Sequence, residues 1–278
     1  MSTIEGEKRI AGAAIEKVLD TSVRPDPPGP LANVLTFAWR GLLKIKHMPE
    51  QMFDAVITPV MFTVMFTYLF GGALAGSTEA YLQFLLPGIL VQTVMFATIY
   101  TGFTLNTDLG KGVYDRFRSL PVWRLSPIMG AMVADLQRHT ISAIIVFLIG
   151  LIMGFRPETG LLGMILVILL LDVFALGFTW IFVTVGLVVR SSSSVMTMSW
   201  FFLMPITFGS NIFVDTATMP QWLQTAIAFN PVAHLTTAAR GILDGTVDAS
   251  QIGLALIAPA VLTVIFAPLS LYLYSRKG

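Results

Sequence analysis

LGKGVYDRFRSLPVWRLSPIMGAMVADLQR, Leu109 to Arg138, is the one strongly polar and basic interval in an otherwise hydrophobic chain. Lys111, Arg116, Arg118 and Arg124 fall within fourteen residues, with Asp115 between them and Asp108 just before. The apolar runs on either side, Leu82–Leu105 and Ile128–Met153, are long enough to cross a bilayer, whose hydrocarbon core takes about 20 helical residues. A polar stretch between two such runs is a connection outside the membrane. The spacing predicts a short helix from Gly112 to Leu120, stopped by Pro121, which cannot continue the hydrogen-bond ladder. Two readings are open for it: a solvated loop whose arginines only set topology, or a docking element for a partner.

The rest of the chain extends that pattern. Hydrophobic residues make up 55 % of the 278 and charged residues 12 %, about half the share in a soluble domain, so there is too little polar surface to cover a globule in water. The net charge of +1 gives no field that favours nucleic acid. Cysteine is absent, which excludes disulfides, thiolate metal sites and a cysteine nucleophile. Four further runs have bilayer length: Phe53–Phe70, Leu161–Val189, Val195–Phe213 and Ile252–Tyr274. The expected fold is therefore an all-α integral membrane protein with six transmembrane helices.

Residues 1–30 read as a flexible cytoplasmic leader. Four prolines between Val23 and Pro30 forbid a helix there, and no apolar segment follows the first residues, so no cleavable signal peptide is expected. Residues 31–48 alternate apolar Leu31, Val34, Leu35, Ala38, Leu42 and Ile45 with polar Asn33, Thr36, Arg40, Lys44 and His47 at helical spacing. That is an amphipathic helix suited either to the inner membrane interface, with Trp39 beside it, or to packing on a partner. Of the 17 Lys and Arg, all but Arg156 and Arg240 fall on one side of a six-span arrangement. The positive-inside rule then places both termini and the 107–127 connection in the cytoplasm and the protein in the plasma (inner) membrane. Gly71–Tyr81 and Gly154–Gly160 read as outer turns, and Ser191–Ser194 as a flexible inner link. The longer outer stretch 214–251 carries two amphipathic segments broken at Asn230-Pro231, expected as short helices at or dipping into the outer interface.

Catalytic chemistry has little to stand on. A phosphate-binding loop needs G-x-x-x-x-G-K-[ST]; around Gly110-Lys111 the first glycine is replaced by Leu105 and the hydroxyl by Gly112, while Gly71–Thr78 has Ser77 in place of the lysine. His47, His139 and His234 are scattered, so no metal site is expected. Asp135 and Arg138, three apart on one helix, are expected to pair. Asp172 lies near the middle of the fourth run, where an ionisable group is costly; proton coupling and a hydrogen bond to a neighbouring helix are both open for it. No internal repeat or pore ring is visible, so energy for transport has to come from another chain.

The segment from Leu85 to Leu136, with L-P-G-I opening the second run, G-V-x-D-R-F-R-S-L-P at Gly112–Pro121, and the late M-P-x-W-L-Q…N-P-V…A-x-R-G at Met219–Gly241, resembles the permease subunits of ABC-2 type exporters, in particular the daunorubicin-resistance branch. The resemblance covers about residues 31–275. It implies a permease that pairs with a second copy of itself and with two copies of a separate ATP-binding subunit, which carries ATP and Mg. It implies that 31–48 is an interfacial helix among membrane lipids, that 107–127 holds a coupling helix, and that 214–251 is a pair of re-entrant helices broken at Asn230 and Pro231. Asp115, Arg116, Phe117 and Arg118 are then the expected contacts to the ATPase, with Leu120 and Pro121 shaping the loop. The cargo implied is a drug, antibiotic or other hydrophobic small molecule, with export of a lipid or lipid-linked glycan as the alternative and, from a different class, a proton-coupled carrier using Asp172. Phe62, Phe66, Phe96, Phe201 and Phe202 could line an apolar path or serve helix packing and lipid contact. No cofactor is expected in this chain.

Overall fold

A computed structural model describes residues 29–46, 49–113, 123 and 125–276. Among them are ten α-helices and no strand. Hydrophobic length sets the frame. Helices α2 (Pro49–Ala75), α3 (Thr78–Ala97) continued by α4 (Ile99–Gly110), α5 (Ser126–Met153), α6 (Gly160–Val188) and α10 (Ala249–Arg276) supply five spans long and apolar enough to cross a bilayer. The sixth expected span, Val195–Phe213, takes the form of α7 (Ser192–Phe208), only 17 residues long. It ends at Gly209, and the following residues fold into the core. A Cβ on Gly88 of α3 would come within 2.9 Å of Ile212, and the Tyr81 hydroxyl donates to the Phe213 carbonyl at 2.9 Å. That packing takes 209–213 out of the helix, and hydropathy alone does not register it.

Two expected links are different in the fold. Ser191–Ser194 is not a flexible link: Ser191 caps α7, its Oγ accepting from the Ser194 amide at 3.2 Å, and Ser192 begins the helix. The turn expected over Gly71–Tyr81 shrinks to Gly76 and Ser77. Gly76 has φ 75°, a left-handed conformation that costs glycine little, and Ser77 then caps α3.

The span α3–α4 is the central post: 83 % of its most apolar stretch is buried, against 22 % for α2 and 11 % for α10. Close helix crossings without bulky side chains hold α6 to its neighbours, the pattern that lets backbones approach inside a membrane. A Cβ on Gly186 would lie 2.5 Å from the Gly102 carbonyl of α4, and one on Gly177 2.4 Å from Pro259 of α10. Thr184 and Ser270 hydroxyls share a hydrogen bond at 2.8 Å between α6 and α10. Asn106 of α4 donates to the Gly186 and Val189 carbonyls at 2.9 and 2.7 Å, satisfying the end of α6.

Helix α1 (Pro30–Lys46) packs across α5, with Gly41 against Ala134 and Gly130 against Phe37. Arg40 pairs with Asp108 near the end of α4 at 3.6 Å. Leu31, Leu35, Trp39 and Leu43 form an exposed apolar stripe on the other side, spaced every four residues along one face. The helix therefore has one side against the bundle and one exposed apolar side. Helices α8 (Gln221–Ile227) and α9 (Pro231–Leu243) lie at the opposite end of the bundle, on either side of the expected break.

Candidate functional site

The site is built at a discontinuity. Between α3 and α4 the helix is interrupted at Thr98, whose amide is shared between the Val94 and Met95 carbonyls and whose hydroxyl donates to Met95 at 2.6 Å. A side-chain hydroxyl that competes for a backbone carbonyl loosens the regular ladder locally. The Ala97 carbonyl at this break accepts from Arg138 of α5 at 3.1 Å.

Next to the break, α2, α3, α4 and α7 enclose a small open-sided pocket of about 90 Å³. Phe62 enters from α2, Gln92 and Phe96 from α3, Tyr100 from α4, and Met196, Trp200 and Met204 from α7. Those three α7 residues are four apart and so share one face. The Phe96 and Trp200 rings meet at 4.6 Å between centroids. No acid or base is among the described lining residues. Aromatic walls with a few polar groups suit a flat, largely apolar ligand.

Behind the break lies a buried ionic group. Arg138, 2 % exposed, pairs with Asp135 at 2.8 Å, as the i,i+3 spacing predicts. Asp135 also accepts from the Thr101 hydroxyl of α4, and the Arg138 guanidinium sits 4.7 Å from the centre of the Tyr100 ring. One cation thus touches the carbonyl at the break and a wall residue of the pocket. Helices α4 and α5, which it ties together, flank the 111–125 connection.

The residues singled out from the sequence are dispersed. Phe62 and Phe96 share the pocket. Phe66 stacks on Phe62 at 5.6 Å and reaches Phe213 at 4.8 Å, continuing the aromatic column away from it. Phe201, 83 % exposed, and Phe202 point off the α7 face that carries Trp200 and do not line the pocket. Asp172 accepts from the Thr140 hydroxyl of α5 at 2.8 Å and is not among the lining residues. Asp115, Arg116, Phe117, Arg118, Leu120 and Pro121 lie outside the described residues. Gln92, Tyr100 and Trp200 were not anticipated. A single amide inside the run Leu85–Phe96 and the four-residue spacing of Met196, Trp200 and Met204 were the available signals.

At the opposite end Asn230 joins two elements. Its Oδ1 accepts from the Val232 amide and caps α9, while its Nδ2 donates to the Ile206 and Gly209 carbonyls at 2.7 and 2.8 Å. Pro231 occupies the first helical position, where the missing N–H is no loss. Arg240 of α9 donates to the Phe84, Asn211 and Ile212 carbonyls at 3.0, 2.9 and 3.0 Å. Burial draws its guanidinium down to about 10, so it keeps its charge at neutral pH.

The sequence profile of the ABC-2 type transporter family matches residues 32–243, well over half of the chain and inclusive of the break, the pocket and Asn230. The chain belongs to the ABC-2 type transporter family. It is 42 % identical over 276 residues to the daunorubicin resistance ABC transporter permease protein DrrB1 of Streptomyces coeruleorubidus, covering 99 % of this chain and 97 % of that protein. It is 28 % identical over 200 residues to the doxorubicin resistance ABC transporter permease protein DrrB of Mycobacterium tuberculosis, covering 71 % and 68 %. The putative transport permease ycf38 of Cyanophora paradoxa is 22 % identical over 201 residues, covering 70 % and 68 %. As an ABC-2 membrane protein with several apolar spans, it is a multi-pass permease.

Proposed function

We propose that this permease is the membrane half of an ATP-driven exporter that moves flat, hydrophobic drug-like molecules out of the cell. The observation that carries the reading is the aromatic, charge-free pocket beside the α3–α4 break, in a chain related over nearly its whole length to a daunorubicin resistance permease. Two copies of the chain work with two copies of a separate ATP-binding subunit, which holds ATP and Mg and does the hydrolysis. Both termini and the 107–127 connection face the cytoplasm, α7 makes the sixth crossing, and α8 and α9 re-enter the outer leaflet. Asp115, Arg116, Phe117 and Arg118 meet the ATPase. The Arg138 group then lies on the route from that contact to the pocket, because both helices it ties together leave the connection directly.

Asp172 gives a proton-coupled carrier little support, since its carboxylate is engaged by Thr140 and lies away from the pocket. The test is ATP-dependent accumulation of daunorubicin in inside-out vesicles that contain the permease and its ATP-binding subunit. Native protein should accumulate drug only with ATP, and Asp172→Asn should retain most of that activity. Arg116→Glu with Arg118→Glu should lose the association with the ATPase or the drug-stimulated turnover. Accumulation driven by a proton gradient without ATP, and lost in Asp172→Asn, would overturn the proposal.

A further inference from the structure

We infer that Gln92 is the specificity-determining residue of the pocket, its carboxamide selecting planar aromatics that present a hydrogen-bond donor and acceptor side by side. The inference rests on the pocket being the drug site and goes beyond it by naming the group that reads the ligand.

Gln92 is 7 % exposed and lines the pocket. Among the described residues no protein group hydrogen-bonds its amide. The other polar side chain beside it, Thr93, is already committed, its hydroxyl donating to the Ile89 carbonyl at 2.7 Å. A carboxamide offers two donors and an acceptor in one plane, and here those atoms keep open surface beside the pocket. Nothing in the packing compels an amide here, since leucine or methionine has nearly the same bulk. The arrangement makes sense when a ligand completes it.

The surroundings restrict what that ligand is. Phe62, Phe96 and Trp200 supply aromatic walls. Among the described residues an ammonium entering the pocket meets no carboxylate, because the acid of the neighbouring ionic group, Asp135, is taken by Arg138 and Thr101. Selection therefore falls on neutral hydrogen bonding, and a lactam edge, with N–H beside C=O, is the closest complement to a primary amide.

The probes are phenanthridinone, a planar tricyclic lactam, and N-methylphenanthridinone, which keeps the rings and the carbonyl but loses the donor. Binding is measured by equilibrium dialysis against the full-length permease in lipid nanodiscs, corrected for empty nanodiscs. Native protein should prefer the lactam by roughly tenfold, the worth of one buried hydrogen bond. Gln92→Leu should remove that preference by weakening the lactam alone, and its retained binding of the N-methyl compound shows that the pocket is intact. Phe96→Ala should weaken both compounds equally. If native protein shows no preference, or Gln92→Leu keeps it, the role of Gln92 is overturned while the Phe96 result still supports the pocket. If Phe96→Ala changes neither compound, the pocket reading itself falls. Should Gln92→Leu fail to fold, Gln92→Met takes its place, and loss of both compounds in a folded Gln92 variant also overturns the selector role.

Discussion

Arg138 and Gln92 are both buried polar side chains beside the same helix break, and they are equipped in opposite ways. Around Arg138 the protein has assembled a carboxylate, a main-chain carbonyl and a tyrosine ring, with the buried Nε alone left without a hydrogen bond among the described residues. Around Gln92 it has assembled aromatic walls and, among the described residues, no hydrogen-bond partner. The charge of one is paired within the fold, and the amide of the other lines the pocket. The contrast separates the framework of this permease from its ligand-reading surface within a few residues of one another.

Replacing Arg138 should give the largest effect. Arg138→Met leaves Asp135 buried without its cation, and removing one member of such a pair costs about 3–5 kcal/mol. A large fall in the unfolding midpoint in nanodiscs is expected, with substantial recovery in Asp135→Asn plus Arg138→Met. A midpoint unchanged by Arg138→Met would remove the framework half of the comparison. Asn230→Ala tests another completed group, at the far end. It loses a helix cap and two donated bonds, for about 2–3 kcal/mol, read by the same unfolding experiment and by protease cutting between α8 and α9. Thr184→Val removes one hydroxyl pair between α6 and α10 and should cost about 0.6 kcal/mol, the average for such bonds between membrane helices. Gln92→Leu should come last, with a stability change within about 0.5 kcal/mol of zero or slightly favourable, because no native bond is lost. A clear destabilisation there would mean that the amide has a structural partner, and the two residues would no longer differ in kind.

Part of this was legible without coordinates. Runs of bilayer length located α2, α3–α4, α5, α6 and α10, because a span needs only enough consecutive apolar residues. The Asp135–Arg138 pair was legible for a similar reason, since both residues sit on one helix at a fixed spacing. The short α7 was not, because its end depends on Ile212 and Phe213 packing into the core against α3. The pocket was half legible. Phe62 and Phe96 were singled out, yet which aromatics of α7 join them depends on the rotation of that helix, and Trp200 rather than Phe201 or Phe202 faces inward. Gln92 carried a signal as an amide in an apolar run, but its lack of a partner is a property of three dimensions. The arginines and the carboxylate of the 115–118 segment stand out in the sequence, and they lie outside the described residues.

The broken span also has a mechanical meaning. From Thr78 to Gly110 it covers 33 residues, roughly 50 Å of helix, so it overshoots the ~30 Å hydrocarbon core. The segment beyond Thr98, Ile99 to Gly110, is a rod of roughly 18 Å, and a tilt of about 10° at the break would swing its tip by about 3 Å. Tyr100, at the wall of the pocket and 4.7 Å from the Arg138 guanidinium, lies two residues beyond the break and would turn with that rod.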